Sequence, residues 1–147
     1  MKKILAIVIV LTLIFALAAC GSKSETAPAG SAAEETGPSI VFKNEMSVTV
    51  DIVYIAPTDA DMWGDPANKA PVKPGEELRI FSEILSDSGS VCSVGVTDQN
   101  GQNYDCYNVS LAADDTLSIS GEGEGAIFTV TTQTGESASY NCNVFSE

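Results

Sequence analysis

What most constrains the fold is an alternation of apolar and polar residues with a period of two, which begins near Ser39 and continues to the end of the chain. In a strand, successive side chains point to opposite faces, so this pattern builds a sheet with one apolar face. A helix needs a period near 3.6. No window from Ser39 onward carries such a stripe. Strands are read at 40–42, 48–56, 77–81, 91–97, 104–111, 116–119, 126–132 and 137–145, where β-branched and aromatic residues gather. Seven or eight short strands between turn signals predict an all-β domain, a single antiparallel β-sandwich of Greek-key type. The turn chemistry agrees. Asn100-Gly101 and Thr134-Gly135 separate alternating runs, and Lys73-Pro74-Gly75 has the Pro-then-Gly order of a type II turn. The Gly121-Glu122-Gly123-Glu124-Gly125 run reads as a flexible link, and 82–85 as one short helix. The connection 57–72, roughly sixteen residues without regular structure, is long for a compact domain. Loops of that size are often functional or tied down by their own side chains, and Trp63 is the expected tie.

The first residues follow a different rule. Lys2 and Lys3 precede an apolar run, 4–17, broken only by Thr12. That run is shorter than the roughly 20 residues a membrane-spanning helix needs, and it ends in small residues, as a secretory signal does. The end of the run, Leu17-Ala18-Ala19-Cys20-Gly21, resembles the bacterial lipobox, in which the Cys thiol receives a diacylglycerol and becomes the mature N-terminus. The resemblance implies lipidation at Cys20. Two or three acyl chains hold a protein to a membrane far better than one. The alternative is a soluble secreted protein with Cys20 a bystander. Residues 21–38 contain no aromatic or large aliphatic side chain, too little apolar surface to repay ordering, and are read as a disordered tether. The expected organisation is a signal peptide at 1–19, a lipidated Cys and tether at 20–38, and one domain at 39–147, held at the cell membrane and facing away from the cytoplasm.

Charge and composition narrow the function. The formal net charge is −13, and removal of Lys2 and Lys3 with the signal takes it to −15. Nucleic acid and anionic lipid headgroups are repelled by such a chain, so no nucleic-acid partner is expected. With no His at all, Ser-His and Cys-His nucleophile systems and His-bearing zinc sites are excluded. The 20 carboxylates make some close pairs inevitable, but no spacing singles one out as a glycosidase pair. The chain is therefore read as no enzyme, and no cofactor is assigned. Calcium is the one ion to weigh, at Asp59, Asp61 and Asp65 in the long loop, or at Asp98, Asn100, Asn103 and Asp105 around the hairpin. Neither segment matches an EF-hand with its terminal bidentate Glu.

Cys92, Cys106 and Cys142 form an odd set. One disulfide and one free thiol is the simplest outcome in an exported domain. Cys92 and Cys106 flank the Asn100-Gly101 turn at comparable distances, which puts them on adjacent antiparallel strands, either face to face or diagonal, and makes them the first choice for a bridge. Cys106 with Cys142 competes, and three buried reduced thiols are the remaining alternative.

The run Val50-Asp51-Ile52-Val53-Tyr54-Ile55-Ala56-Pro57-Thr58, then Trp63-Gly64-Asp65, Val72-Lys73-Pro74-Gly75-Glu76, 94–101, and Tyr107-Asn108-Val109-Ser110-Leu111 resembles a family of small exported bacterial β-domains. Its pattern is Tyr-x-Ser-Pro, Trp-Gly-Asp, Pro-Gly and an Asp-x-x-Gly hairpin. The resemblance spans 39–111 and brings no biochemical activity with it. Ala56 stands where Ser is commoner in that family, and Asn68 where Leu usually follows the Trp-Gly-Asp element. Trp63 has two readings: packing of the loop onto the sandwich, or an aromatic platform for a sugar or peptide with Tyr54 and Tyr104 nearby. The expected function is a non-enzymatic, lipid-anchored binding or interaction domain that contacts an unknown envelope partner through Trp63, Asp59, Asp61 and Asp65. A calcium-stabilised structural module of the envelope is the alternative, and a surface hydrolase follows behind it.

Overall fold

The computed structural model describes residues 36–146; the signal segment, Cys20 and most of the tether lie outside the described residues. Nine strands follow in order: β1 Ser39–Glu45, β2 Val50–Pro57, β3 Glu77–Phe81, β4 Ser90–Asp98, β5 Gln102–Leu111, β6 Thr116–Ser120, β7 Ile127–Thr131, β8 Ser137–Asn141 and β9 Asn143–Ser146. They form two packed sheets, ordered β3-β1-β6-β7-β8 and β2-β4-β5-β9, with chain connections crossing between them in the Greek-key manner. The all-β sandwich expected from the alternation is the fold. Every strand pair is antiparallel except β1 with β6, which run parallel.

The inward phase of each strand fills the space between the sheets. Ile40, Phe42, Ile80, Leu117, Ile119 and Phe128 from the first sheet meet Val53, Val94, Val96, Tyr104, Val109 and Leu111 from the second, all with almost no exposed surface. Each such side chain contributes roughly 1.5 to 3 kcal/mol by leaving water.

Three local expectations are corrected. The run 137–145 is two strands, because Cys142 N–H donates to Ala126 O at 3.3 Å and the chain there passes from the first sheet to the second. An uninterrupted alternation does not reveal such a crossing. The segment Ser82 to Leu85 is a single turn, closed by Leu85 N–H on Ser82 O at 3.2 Å, with Ser82 Oγ also accepting from Ile84 N–H. The glycine-rich link contains a 3-10 turn, Gly123–Gly125. The type II turn stands as read: Glu76 N–H reaches Lys73 O at 3.0 Å, and Gly75 takes the positive φ of +78° that this turn requires.

Two asparagines organise the long loop. β2 is an edge strand, and its unpaired backbone groups would otherwise invite association. The loop covers them. Ala67 N–H donates to Val53 O at 2.7 Å, and Val50 and Val72 exchange two backbone bonds at 2.8 and 2.9 Å. Asn68, buried, accepts Val53 N–H at 2.7 Å and donates to Asp51 O and Ala70 O at 2.9 Å. Asn44, also buried, donates to Val48 O and Val72 O at 2.8 Å and accepts from Met46 N–H. Asn68 is thus a polar clamp between the loop and β2.

Candidate functional site

The outward phase of the second sheet carries the site. Two cross-strand rows lie side by side: Ile52, Thr97, Asn103 and Phe145 in one, and Tyr54, Gly95, Asp105 and Asn143 in the next. Gly95 is the seat for the loop. A Cβ there would stand 3.2 Å from Cη2 and Cζ2 of Trp63 and 3.3 Å from Asp105 Oδ1, so the absence of a side chain is what lets the indole settle on the sheet. Trp63 is flanked by Tyr54 and Tyr107, with ring centroids at 5.9 and 6.1 Å and planes inclined by 32° and 28°, within the range of favourable offset aromatic pairs. The tie expected of Trp63 is present, and part of its ring still faces solvent.

On one side of this aromatic ridge lies a concavity of about 510 Å³, walled by Tyr54 and Trp63 at one end and Phe145 at the other. Its floor is mixed: Ile52 lies beside Thr97, whose Oγ1 donates to Asn103 Oδ1 at 2.6 Å, and Asp105 lies alongside. On the other side a smaller hollow of about 110 Å³ is lined by Pro57, Met62, Trp63 and Tyr107. Burial raises the Asp105 carboxyl above the ordinary carboxylate range, while a hydrogen bond from the Tyr107 hydroxyl pulls it back. The Tyr107 hydroxyl is raised in turn, first by burial and then by the neighbouring Asp105 charge. A carboxylate has room for more than one donor, so Asp105 can accept from a ligand hydroxyl as well as from Tyr107.

Several candidate residues are placed elsewhere. Asp59, Asp61 and Asp65 are all exposed. Among the described residues no group of three or more His, Cys, Asp or Glu side chains converges as metal ligands would. The hairpin acids diverge as well. Asp98 is buried, its Oδ1 accepting from Asn100 and Gln102 N–H at 2.8 and 3.0 Å and its Oδ2 from the Tyr104 hydroxyl at 3.2 Å, whereas Asp105 belongs to the outer face. Tyr104 is therefore a core residue and no part of the platform. Tyr107 and Phe145 take that place, half-exposed on the outer face.

The expected Cys92–Cys106 bridge is corrected too. All three cysteines of the domain are free, Cys92 pairing with Val109 and Cys106 with Val94 across a register shift at Cys92/Val94. That offset leaves the two sulfurs diagonal, and diagonal neighbours are roughly 7 to 8 Å apart at Cα, beyond the usual reach of a disulfide.

Tyr107, Phe145, Gly95 and Thr97 were missed from sequence, and Asn103 was read only as a hairpin oxygen for calcium. The signal for them was present: an aromatic on the polar phase of a strand, and a glycine inside one, both mark a face that something covers or approaches. Comparison with protein-family models, curated proteins and solved structures found no match.

Proposed function

We propose that the chain is an exported, lipid-anchored binding protein of the cell envelope, without catalytic activity, that holds an uncharged saccharide in the groove between Trp63 and Phe145. The observation that carries this reading is one open face on which aromatic walls border a floor where hydroxyl, amide and carboxylate groups lie beside Ile52. A pyranose ring has an apolar C–H face and a rim of hydroxyls. The aromatic rings suit the first and Thr97, Asn103 and Asp105 the second, in the usual division of a small-ligand site between apolar lining and a few polar groups. Charge favours a neutral sugar, because a chain of formal charge −13 repels uronate or phosphate polymers. Among the described residues Asp105 is the one carboxylate in the groove lining, whereas glycoside hydrolysis ordinarily uses two.

The lipobox-like Leu17-Ala18-Ala19-Cys20, at the end of the apolar run, supports the anchor. Radiolabelled palmitate is expected to enter the wild-type protein and not Cys20→Ser; equal labelling of both removes the anchor from the proposal. The groove is tested separately. Phe145 is 53% exposed, so Phe145→Ala sacrifices little packing. It is expected to weaken retention on an uncharged-glycan gel by about tenfold, the loss of roughly 1.4 kcal/mol of contact, while leaving the thermal melt in place.

A further inference from the structure

The β5–β9 register runs Gln102↔Ser146, Asn103↔Phe145, Tyr104↔Val144 and Asp105↔Asn143. One step further places Cys106 opposite Cys142. The side-chain phase agrees. Tyr104 and Cys106 are buried, Val144 and Cys142 are half-buried and packed against the same core, and Asn143 and Phe145 turn outward. Both sulfur-bearing side chains thus stand on the inner face of the second sheet. Cys142 N–H is spent on Ala126 O, just before β7 of the first sheet, so Cys106 and Cys142 cannot exchange the two backbone bonds of a hydrogen-bonded pair. Opposed residues of the non-hydrogen-bonded kind approach to about 4.5 Å at Cα, inside the range a disulfide spans. Cys106 Sγ already lies 3.7 Å from Asn141 O, beside Cys142.

We propose that Cys106 and Cys142 are a cross-strand redox pair which, on oxidation by a disulfide-bearing oxidant, bonds the last strand to β5 at the point where the chain crosses between the sheets. Cys142, the more exposed, attacks one sulfur of the oxidant as its thiolate, forming a mixed disulfide and releasing one thiol. Cys106 then attacks the Cys142 sulfur and releases the second. The two cysteines lose two protons and two electrons, and the oxidant leaves as two thiols. Burial and the neighbouring Cys106 push the Cys142 thiol up to about 12, so the first step is slow near neutrality and quickens as pH rises. Cys92, also near Cys106 and pushed up to about 11 chiefly by burial, sits on the far side and stays reduced. Closure in the cell rests on the export reading; the chemistry does not.

The full-length protein is incubated with millimolar oxidised glutathione at pH 7 and pH 9, quenched with an alkylating reagent and mapped. The chain has no Lys or Arg after Arg79, so trypsin leaves all three cysteines on one peptide, whereas chymotrypsin separates them. A Cys106–Cys142 peptide forming faster at pH 9, with Cys92 alkylated after denaturation, supports the pair. The bridged form is also expected to melt roughly 10 to 20 °C higher, because it closes a loop of about 37 residues. Three alkylated domain thiols after prolonged oxidation, or any other pairing, overturns it. None of these outcomes depends on saccharide binding, so the pair and the groove stand or fall separately.

Discussion

Asp98→Ala is expected to lower the stability of the domain by about 3 to 5 kcal/mol, since three donors lose one buried acceptor at roughly 1 to 3 kcal/mol each and water at the turn recovers part of the loss. The carboxylate closes the β4–β5 hairpin from inside: Asn100 and Gln102 N–H meet Oδ1, and the Tyr104 hydroxyl meets Oδ2. Asp98 itself is only 4% exposed, so its oxygens are met from within the protein. Asp98→Asn keeps one acceptor oxygen and retains more than half of the stability lost to alanine. Tyr104→Phe gives up a single bond and costs about 1 kcal/mol. Urea denaturation of the three variants tests the series. An Asp98→Ala loss below that of Tyr104→Phe contradicts the clamp.

Asn68→Ala carries the second large effect, and it reaches the site. Asn68 makes three hydrogen bonds, and all of them join the long loop to itself or to β2. Removing the side chain strands Val53 N–H and two carbonyls, at a cost of about 2 to 4 kcal/mol. It also frees the segment that seats Trp63. The indole is half-buried, so Trp63→Ala itself costs less than the roughly 3 to 5 kcal/mol of a fully buried tryptophan. The Asn68 variant is therefore expected to be the less stable of the two, and to shift Trp63 emission to the red at temperatures where the sheets are still folded. Unchanged emission in Asn68→Ala contradicts the loop's dependence on the clamp.

The architecture was legible because one face of each sheet is buried, and burial on one face writes itself as alternation. Strand β3 was read from sequence with the bounds it has, and β4 and β5 within two residues at each end. What alternation does not encode is which sheet a strand joins. The 137–145 run keeps its phase through Cys142 while changing sheets, and the parallel β1–β6 contact joins strands separated by most of the domain. At the site, Trp63 was legible as a rare large residue in a long loop. Its seat was not, because Gly95 reads locally as a weak point in a strand and only the fold brings the indole over it. Asp98 and Asn103 looked alike as hairpin oxygens, yet the pleat sends one into the core and the other to the outer face. The cysteine pairing failed for a related reason: Cys106 faces Val94, so Cys92 stands two residues farther from the turn than a facing partner would, and only the register shows this.

The groove can be observed directly, because Trp63 is the only tryptophan in the chain and forms one of its walls. Trp63 emission of the detergent-solubilised protein is followed while tetrasaccharides of glucose, mannose and N-acetylglucosamine, and an oligogalacturonate of equal length, are titrated to millimolar concentration. Saturable change with at least one uncharged sugar, none with the anionic one, and a curve displaced about tenfold in Phe145→Ala is the expected result. No saturable change with any uncharged sugar, or equally tight binding of the oligogalacturonate, contradicts the saccharide site.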